Sequence, residues 1–393
     1  MFTGYLINDF LFSINENDIS VVYGKEYNDD FIANKSLKLY LKNIKAEIDK
    51  VHDKWDILKK YTNKYEFINT LVSVQGGDPN IKLSVCAYKP ISRSFFKMVE
   101  ILNNFNFDFK ESINSFHLAE GPGGFVDALA KKRSNEKDIY YAMTLMDNHN
   151  DVPKWNKITN STNIRGNIKL LSGPRGDGNL YLEHNLDYVS KTFPNKMDFI
   201  TADGGFDYSM DFNRQEENSI NLIFCEVLFA LVMQKEGGSF VLKIFDAFHR
   251  NTLEIIMILC YFYNKVSIYK PLTSREANSE KYLICQNFQM TKNYSDILNS
   301  LKMNFNDLRR QKLTRIFKCD MNIFFLNKIQ EVNAIFGQQQ IENILSTISH
   351  IHEYNISENT EKLKKMKNNN IERCKKWCIE YNEPINQHFC LPD

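Results

Sequence analysis

The chain has 393 residues, enough for one large domain with extensions or for two domains. Its 49 basic and 48 acidic residues give a formal net charge of +1, so any contact with nucleic acid must use a local patch. The 8 cysteines lack regular disulfide spacing, Asn8 and Asp9 interrupt the first apolar residues, and no apolar stretch is suited to spanning a bilayer. We therefore expect a reduced intracellular protein with no membrane partner.

Helical and strand-like patterns alternate along the chain. Helical periodicity covers Ser36–Tyr61, a loop signal follows at Val72–Pro79, and a helix-like segment at Ser92–Asn103 precedes an apolar strand that ends at Leu118. Strand-like runs then alternate with helical stretches, and the chain becomes helical and polar from Asn287 onward. The strands are Ile139–Leu145, Met197–Ala202, Gly238–Phe245, Val266–Tyr269 and Tyr282–Cys285; the helices are Glu183–Thr192, Glu216–Lys235 and Asn251–Tyr263. This alternation predicts an α/β sheet with helices on both faces.

Residues 116–125, Phe-His-Leu-Ala-Glu-Gly-Pro-Gly-Gly-Phe, form the most informative segment. A buried strand that runs into a glycine-rich loop and then a helix builds a ligand crevice in open α/β sheets. The loop lacks the Lys-Ser/Thr of a P-loop and the full dinucleotide fingerprint. It suits a ligand with an amino-acid end and a nucleoside, such as S-adenosylmethionine (SAM), although a plain strand-to-helix turn would read the same way.

Charged residues follow or interrupt the later strands. Asp203 ends an apolar strand and precedes two glycines, where an acid would face the crevice unless it is only a turn aspartate. Lys243 lies within a near-continuous apolar strand, and a lysine is seldom buried without a partner. With Lys97 and an acid from the loop before Tyr282, these residues fit methyl transfer to a ribose 2′-hydroxyl. A lysine can serve as the base if desolvation or a second cation lowers its pKa.

Six motifs in this order resemble the FtsJ-like (RrmJ-type) family of RNA 2′-O-methyltransferases, and within it the cap-specific mRNA enzymes of eukaryotes and large DNA viruses. The similarity spans roughly Ser92 to Cys285. The motifs are Glu120–Phe125, Ala142–Leu145, Gly176–Asn179, Ala202–Phe206, Leu242–Asp246 and Lys270–Tyr282. The resemblance implies a Rossmann-like SAM-dependent methyltransferase fold with a mixed seven-stranded sheet.

The resemblance also implies the site residues. The family's Lys-Asp-Lys-Glu tetrad falls on Lys97, Asp203, Lys243 and Glu280, with Lys243 as the general base. The implied SAM site comprises Ser92, Ala119, Glu120, Gly121, Pro122, Gly123, Gly124, Phe125, Asp177, Asn179, Leu180 and Asp203. No metal is implied.

Two positions depart from the family pattern. Asn179 stands where the cap enzymes carry Asp; its amide oxygen could still accept from the adenine amine while Leu180 packs on the ring, and Asp177 is a substitute. Glu276 falls where the group often has Pro, so it ranks below Glu280 as the tetrad acid.

The C-terminal cysteines allow two interpretations. Cys374 and Cys378 with His388 and Cys390 could form a zinc site, but the spacing of the second pair is poor. Buried reduced cysteines near Trp377 are favoured. The lysine-rich run Glu361–Lys376 indicates a solvated helix face, with RNA contact as the alternative.

These observations predict methylation of the first transcribed nucleotide of capped mRNA, with capped mRNA as partner and other mRNA-capping or transcription proteins as further candidates. The alternatives are ribosomal RNA as substrate, or a non-catalytic RNA-binding subunit that retains the fold. The expected compartment is the cytoplasm, including a viral factory or virion, or the nucleus. The predicted segments are an N-terminal extension over 1–90, the methyltransferase domain over 91–290 and a helical extension over 291–393.

Overall fold

The computed structural model describes residues 4–8, 13–24, 31–73, 81–146, 155, 158, 167–206, 212–357 and 360–389. The loop signal at Gln75–Pro79 and Cys390 lie outside the described residues.

Strands and helices alternate through the described residues. The strands are β1 (Tyr5–Leu6), β2 (Ile19–Gly24), β3 (Val72–Ser73), β4 (Lys82–Leu83), β5 (Asn114–Leu118), β6 (Ile139–Met143), β7 (Ile168–Leu171), β8 (Met197–Ala202), β9 (Gln234–Ile244), β10 (Tyr263–Tyr269), β11 (Lys281–Phe288) and β12 (Lys312–Phe317). The helices are α1 (Lys35–Glu47), α2 (His52–Thr62), α3 (Ser94–Asn104), α4 (Gly124–Arg133), α5 (Glu183–Thr192), α6 (Gln215–Met233), α7 (Arg250–Phe262), α8 (Tyr294–Lys302), α9 (Ile323–Ser357) and α10 (Thr360–Glu380). Among the helices of this part of the chain, none has the length and apolar character needed to cross a membrane.

The chain divides into two compact units. The first comprises Met1–Lys35, Asn106–Lys270 and Glu280–Ala334, and the second comprises Ser36–Phe105, Pro271–Ser279 and Ile335–Asp393. Each unit is built from segments that are distant in sequence.

The first unit contains an eight-stranded mixed sheet in the order β1-β10-β11-β9-β8-β5-β6-β7. Strands β7, β6, β5, β8 and β9 run parallel, whereas β11 is antiparallel to both β9 and β10. Strand order reverses at β5, because β6 lies on one side of it and β8 on the other. Such a switch point opens a crevice beyond the carboxyl ends of the strands.

The central strands β5 and β8 are covered on both faces. Phe116 and Leu118 of β5 and Phe199, Ile200 and Ala202 of β8 are completely buried, as expected for parallel strands covered on both faces. Helix α6 is buried along nearly its whole length, since it packs on β8 and β9 and also contacts β12, which pairs with β2. Helices α5 and α7 contact α6, which gives a layer of helices next to the sheet.

The Rossmann-like prediction is confirmed, with differences in detail. The sheet has eight strands rather than seven because the two-residue strand β1 pairs with β10 at the edge. The helical stretch Ser36–Tyr61 is two helices separated by a short 3-10 turn at Ile48–Val51. The C-terminal segment is not entirely helical, because β12 pairs with β2. Strand β7 lies at the sheet edge, where only half-buried and exposed residues occur and the apolar signal is weak.

The second unit has a separate core around Trp377 of α10. The Trp377 ring lies 5.7 Å from the Phe96 ring and 4.7 Å from the Tyr381 ring. Its Nε1 donates to Oε1 of the buried Glu100 at 3.1 Å. The Glu100 carboxylate also accepts from the backbone N–H groups of Leu272 and Thr273 at 2.6 and 2.8 Å. One buried acid therefore satisfies three donors from two distant segments of this unit.

Candidate active site

The predicted site residues of the first unit gather beyond the carboxyl ends of the parallel strands, at that edge of the sheet. The glycine loop follows β5, Asp203 follows β8, and Lys243 is the second-to-last residue of β9. Strand β11 runs in the opposite direction, so its first residues and the preceding Glu280 reach the same edge. The fold thus brings Asp203, Lys243 and Glu280 together, as the sequence predicts.

Lys243 and Asp203 form the centre of this group. The Lys243 Nζ donates to the Asp203 backbone carbonyl at 2.8 Å and lies 3.3 Å from the Asp203 Oδ1. The two side chains are only 11% and 12% exposed, so their ion pair lies in a partly desolvated setting. Hydrogen bonds to both the main chain and the side chain of Asp203 fix the direction of the ammonium group.

Tyr282 connects the pair to Glu280. It lies opposite Lys243 in the β9–β11 register, and its hydroxyl donates to the Asp203 Oδ1 at 3.0 Å. The Tyr282 hydroxyl also hydrogen-bonds to the Glu280 side chain. Burial, with these two carboxylates nearby, raises the pKa of Tyr282 well above its usual range, so its hydroxyl remains a donor. Tyr282 was not among the predicted site residues, although it ends one of the six motifs.

The pKa of Lys243 is raised in this structure. Burial lowers it, but the carboxylates of Asp203, Glu280 and Glu226 oppose burial, and the net shift is upward. The surroundings of Lys243 therefore favour the ammonium form. The lowered pKa that the sequence argument requires of a base is not produced by these groups.

The glycine loop turns sharply after β5. Ala119 has φ 51° and Gly123 has φ 106°, and the Gly123 N–H donates to the Glu120 carbonyl at 2.8 Å. Helix α4 begins at Gly124, directly after the left-handed Gly123. A Cβ on Gly123 would lie 3.0 Å from a Trp155 ring carbon, so glycine is required there for both conformation and space. Phe125 is fully buried, with its ring 5.7 Å from the Tyr282 ring.

Glu120 faces the sheet interior. The Thr201 hydroxyl donates to its Oε2 at 2.7 Å, and the His117 Nδ1 lies 3.0 Å from its Oε1. The Ser115 hydroxyl contacts the other nitrogen of His117 at 2.9 Å, which extends the network along β5. Burial raises the pKa of Glu120, although His117 and Thr201 oppose the shift. In this structure the buried Glu120 carboxyl contacts side chains of β5 and β8, and these contacts hold the start of the glycine loop on the sheet.

The loop after β7 holds the other predicted cofactor residues. Asp177 accepts from the Asn179 N–H at 2.9 Å, from the Asn185 Nδ2 at 2.6 Å and contacts the His184 Nε2 at 2.9 Å. Burial raises the pKa of Asp177, but these hydrogen bonds outweigh the effect of burial, and the net shift of that pKa is downward.

Asn179 and Leu180 complete this loop. The Asn179 Oδ1 accepts from the Tyr181 N–H at 2.9 Å, so its amide oxygen already has one partner. The Leu180 side chain is buried. The Met146 N–H donates to the Asp177 carbonyl at 2.8 Å, which joins the loops after β6 and β7.

Glu226 is a further acid at this site that the sequence argument did not assign. It lies on α6, is 1% exposed, and its carboxyl accepts from the Gly204 N–H next to Asp203. A Cβ on Gly204 would collide with the Glu226 Oε1 and lie 2.9 Å from the Leu222 Cδ2, so glycine permits this close approach. Burial raises the pKa of Glu226 well above its usual range, which favours a neutral carboxyl. The available signal was a charged residue in an otherwise apolar helix.

Glu226 provides a first test of the site. We expect Glu226→Gln to leave the urea midpoint of unfolding nearly unchanged, because a neutral amide can still accept from the Gly204 N–H. Glu226→Ala should reduce the free energy of unfolding by about 1–3 kcal/mol, because a buried donor loses its partner. Equal losses for both variants in equilibrium urea unfolding would contradict a neutral carboxyl that holds the Gly204 turn.

The remaining predicted site residues belong to the second unit. Lys97 is on α3, and Ser92 precedes that helix, where its hydroxyl lies 2.6 Å from the Ser94 hydroxyl. Glu276 contacts the Lys64 Nζ at 2.8 Å and accepts from the Asn343 Nδ2 at 3.1 Å. Glu276 therefore has partners inside the second unit, whereas Glu280 belongs to the first unit with Asp203 and Lys243. The assignment of Lys97 to the tetrad and of Ser92 to the cofactor site stays a prediction.

The C-terminal cysteines are in the second unit. Cys374 and Cys378 are buried on α10, and the Cys378 thiol hydrogen-bonds with Cys86, which together with burial raises its pKa. Burial raises the pKa of Cys374 to about 12. His388 is exposed. No cluster of three or more histidine, cysteine or acidic side chains suited to a metal occurs among the residues that the structure describes.

Comparison with known proteins finds similar methyltransferases. The chain is 27% identical over 348 residues to a mouse cap-specific mRNA (nucleoside-2′-O-)-methyltransferase 2, a match over 81% of this chain and 42% of that protein. It is 31% identical over 201 residues to a cap-specific mRNA (nucleoside-2′-O-)-methyltransferase of Autographa californica nuclear polyhedrosis virus, over 51% of this chain and 74% of that protein. A probable methyltransferase of African swine fever virus is 25% identical over 352 residues, covering 81% of this chain and 79% of that protein.

The chain therefore spans less than half of the mouse relative. The sequence profile of the FtsJ-like methyltransferases matches residues 90–288, which include the glycine loop, Asp203, Lys243 and Glu280. With this match over half of its length, the chain belongs to the FtsJ-like methyltransferase family.

Proposed function

We propose that the protein is a SAM-dependent RNA 2′-O-methyltransferase that acts on the ribose of the first transcribed nucleotide of capped mRNA. The observation that carries the proposal is the lysine at the end of β9, held between the main chain and side chain of Asp203 and beside Tyr282 and Glu280. Family membership and the cap-specific names of the mouse and nuclear polyhedrosis virus relatives support the substrate.

The residues at the sheet edge fit SAM. Leu145, Met146 and Phe206 are 39%, 58% and 49% exposed after β6 and β8, where an apolar surface could cover an adenine or a thioether. The start of α4 offers backbone N–H groups to a carboxylate. Acidic groups near Asp203 suit a cationic sulfonium. The proposed contacts are the loop Ala119–Phe125, Asp177, Asn179, Leu180 and Asp203, with Ser92 from the second unit. When bound, SAM supplies an electrophilic methyl group.

In the proposed mechanism, the neutral Lys243 Nζ would accept the proton of the ribose 2′-hydroxyl as the new oxygen–methyl bond forms. The methyl–sulfur bond would break in the same step, and its electron pair would return to sulfur to give a neutral thioether. Asp203 positions Lys243 through its carbonyl and carboxylate, and then stabilises the ammonium that forms. Tyr282 holds Asp203 and Glu280 in place. Lys97 is proposed as the second cation of the tetrad.

The raised pKa of Lys243 sets a condition on this mechanism. Carboxylates dominate its surroundings in the free protein, so positive charge must be added before the lysine can become neutral. A bound sulfonium would provide that charge. The raised pKa of Glu226 favours its neutral carboxyl, and this reduces the negative charge around Lys243.

This condition predicts a difference between two pH profiles. The value of kcat/KM reports the free enzyme and should rise about tenfold per pH unit throughout the alkaline range, because the base is active only when deprotonated and its pKa starts raised. The value of kcat reports the enzyme–substrate complex and should reach a plateau at a lower pH. Steady-state rates with capped RNA across the neutral and alkaline range measure both. A kcat/KM profile that is flat above neutral pH would contradict titration of the base.

The decisive experiment for the function is transfer of a labelled methyl group from SAM to matched RNAs. We expect transfer to a capped RNA whose first nucleotide has a free 2′-hydroxyl. A copy with that oxygen already methylated should accept no label there, and an uncapped copy should accept much less. Nuclease digestion and mass spectrometry locate the methyl group. Equal transfer to capped and uncapped RNA would exclude cap specificity.

The same assay separates the alternatives. Transfer to ribosomal RNA in preference to capped RNA would identify that substrate instead. SAM and RNA binding without transfer to any RNA would identify a non-catalytic subunit. An enzyme of the proposed kind would act in the nucleus or cytoplasm, where capped mRNA is made, with other capping or transcription proteins as candidate partners.

A further inference from the structure

A polar cavity in the first unit lies outside the Lys243 group. Its volume is about 380 Å³, within the range of small-ligand sites. It is lined by residues of α6, of the segment after β7 and of the segment before β12, including Tyr181, Glu217, Asn218, Asn221, Arg309 and Lys312.

The basic side of this cavity is held in place by one side chain. The Asn221 Nδ2 donates to the carbonyls of Leu308 and Gln311 at 3.0 and 2.7 Å, and its Oδ1 accepts from the Leu313 N–H at 2.9 Å. Lys312 also pairs with Gly24 as β12 begins. The segment that carries Arg309 and Lys312 is therefore fixed to α6 before any ligand binds.

The charges around the cavity favour an anion. Arg309 is exposed, Lys312 is half-buried, and neither has an acidic partner among the residues that the structure describes. The one acid in the lining, Glu217, lies 3.6 Å from the His249 Nε2 and 4.0 Å from the Arg214 Nε. Two uncompensated cations thus face a cavity whose acid shares its charge with other groups.

Tyr181 adds a surface for a base. It lines the same cavity, and its N–H is held by the Asn179 Oδ1. A cationic pair beside an aromatic ring is the combination that binds single-stranded nucleic acid, since the phosphate contacts the cations and the base stacks on the ring.

We propose that this cavity binds one nucleotide of the substrate RNA, with its phosphate on Arg309 and Lys312 and its base against Tyr181. The inference rests on the proposed function, because it assigns part of the RNA path of that enzyme. Asn179 also lines the cavity and is a predicted cofactor residue, so a site for the SAM adenine is the competing outcome.

The test uses the full chain and a short 3′-labelled capped single-stranded RNA. Fluorescence anisotropy over a series of KCl concentrations gives the affinity and its salt slope for the parent and for Arg309→Gln/Lys312→Gln. We expect weaker binding and a salt slope about 0.7 smaller, because both cations are proposed to contact the same phosphate and each neutralised phosphate of a single strand contributes about 0.7. Tyr181→Ala should weaken binding about fivefold or more, while Tyr181→Phe should retain it.

A matched control separates the cavity from net charge. Arg310→Gln/Lys292→Gln removes the same two charges from residues outside the cavity lining, and should leave the slope close to that of the parent. Equal effects of the two double variants would overturn the proposal.

Loss of SAM affinity without loss of RNA affinity, measured by isothermal titration, would assign the cavity to the cofactor. If the parent methylates capped RNA and the Arg309→Gln/Lys312→Gln variant binds RNA as tightly as the parent, the cavity proposal is refuted and the proposed function is not. A parent that binds no RNA would refute the proposed function.

Discussion

Replacement of Lys243 by alanine or arginine should reduce the rate of methyl transfer by about 10²- to 10⁴-fold, the usual contribution of a general base. Alanine removes the base. Arginine keeps the positive charge and could still contact the Asp203 carboxylate, but it cannot deprotonate in a protein. Single-turnover rates with capped RNA and saturating SAM measure the effect on the chemical step.

Lys281→Arg is the matched control for this variant. Lys281 is also a buried lysine, and it pairs with Ile244 of β9, next to the Tyr282–Lys243 pair. Its Nζ lies 3.3 Å from the Asp246 carboxylate. Because that ion pair needs only a cation, Lys281→Arg should retain most activity. Both arginine variants should bind SAM with nearly parental affinity. Substantial turnover by Lys243→Arg would show that the residue positions or stabilises charge and does not accept the proton.

The sequence predicts the centre of the site well because the chemistry coincides with strong local patterns. The last residues of β5 and β8 are buried and mostly apolar, and the acids Glu120 and Asp203 follow them closely. Lys243 interrupts the buried apolar second half of β9. Parallel strands bring those ends to one edge. The motif order then identifies the family without knowledge of any contact.

The contributions of α6 could not be predicted in the same way. Glu226 and Asn221 are visible in the sequence only as polar interruptions of an apolar helix, and nothing local indicates that one reaches the Gly204 N–H and the other holds the segment before β12. The division into two units is also invisible to local patterns, since each unit joins segments that are distant along the chain. Short strands such as β1 have too few residues to show a period.

The Asp203 carboxylate gives the second large effect. Asp203→Asn should reduce kcat by about 10²-fold, because the variant removes the charge 3.3 Å from the Lys243 Nζ that orients the base and stabilises the ammonium formed in the reaction. The backbone carbonyl that accepts from Lys243 remains, and an amide oxygen can still accept from the Tyr282 hydroxyl. The fold should therefore survive, which thermal unfolding would verify.

The pH profile distinguishes this role from a purely structural one. The Asp203 carboxylate raises the pKa of Lys243, so Asp203→Asn should lower that pKa and move the alkaline rise of kcat/KM toward lower pH. Glu226→Gln should move the profile less than Asp203→Asn does, because Glu226 contributes less than Asp203 to the raised pKa of Lys243 and its own raised pKa favours a neutral carboxyl. Tyr282→Phe retains the charge of Asp203 and should cause a smaller loss of rate with little movement of the profile. If Asp203→Asn slows the reaction but leaves the alkaline rise where it is in the parent, then Asp203 does not control the protonation of Lys243, and another group must set the pKa of the base.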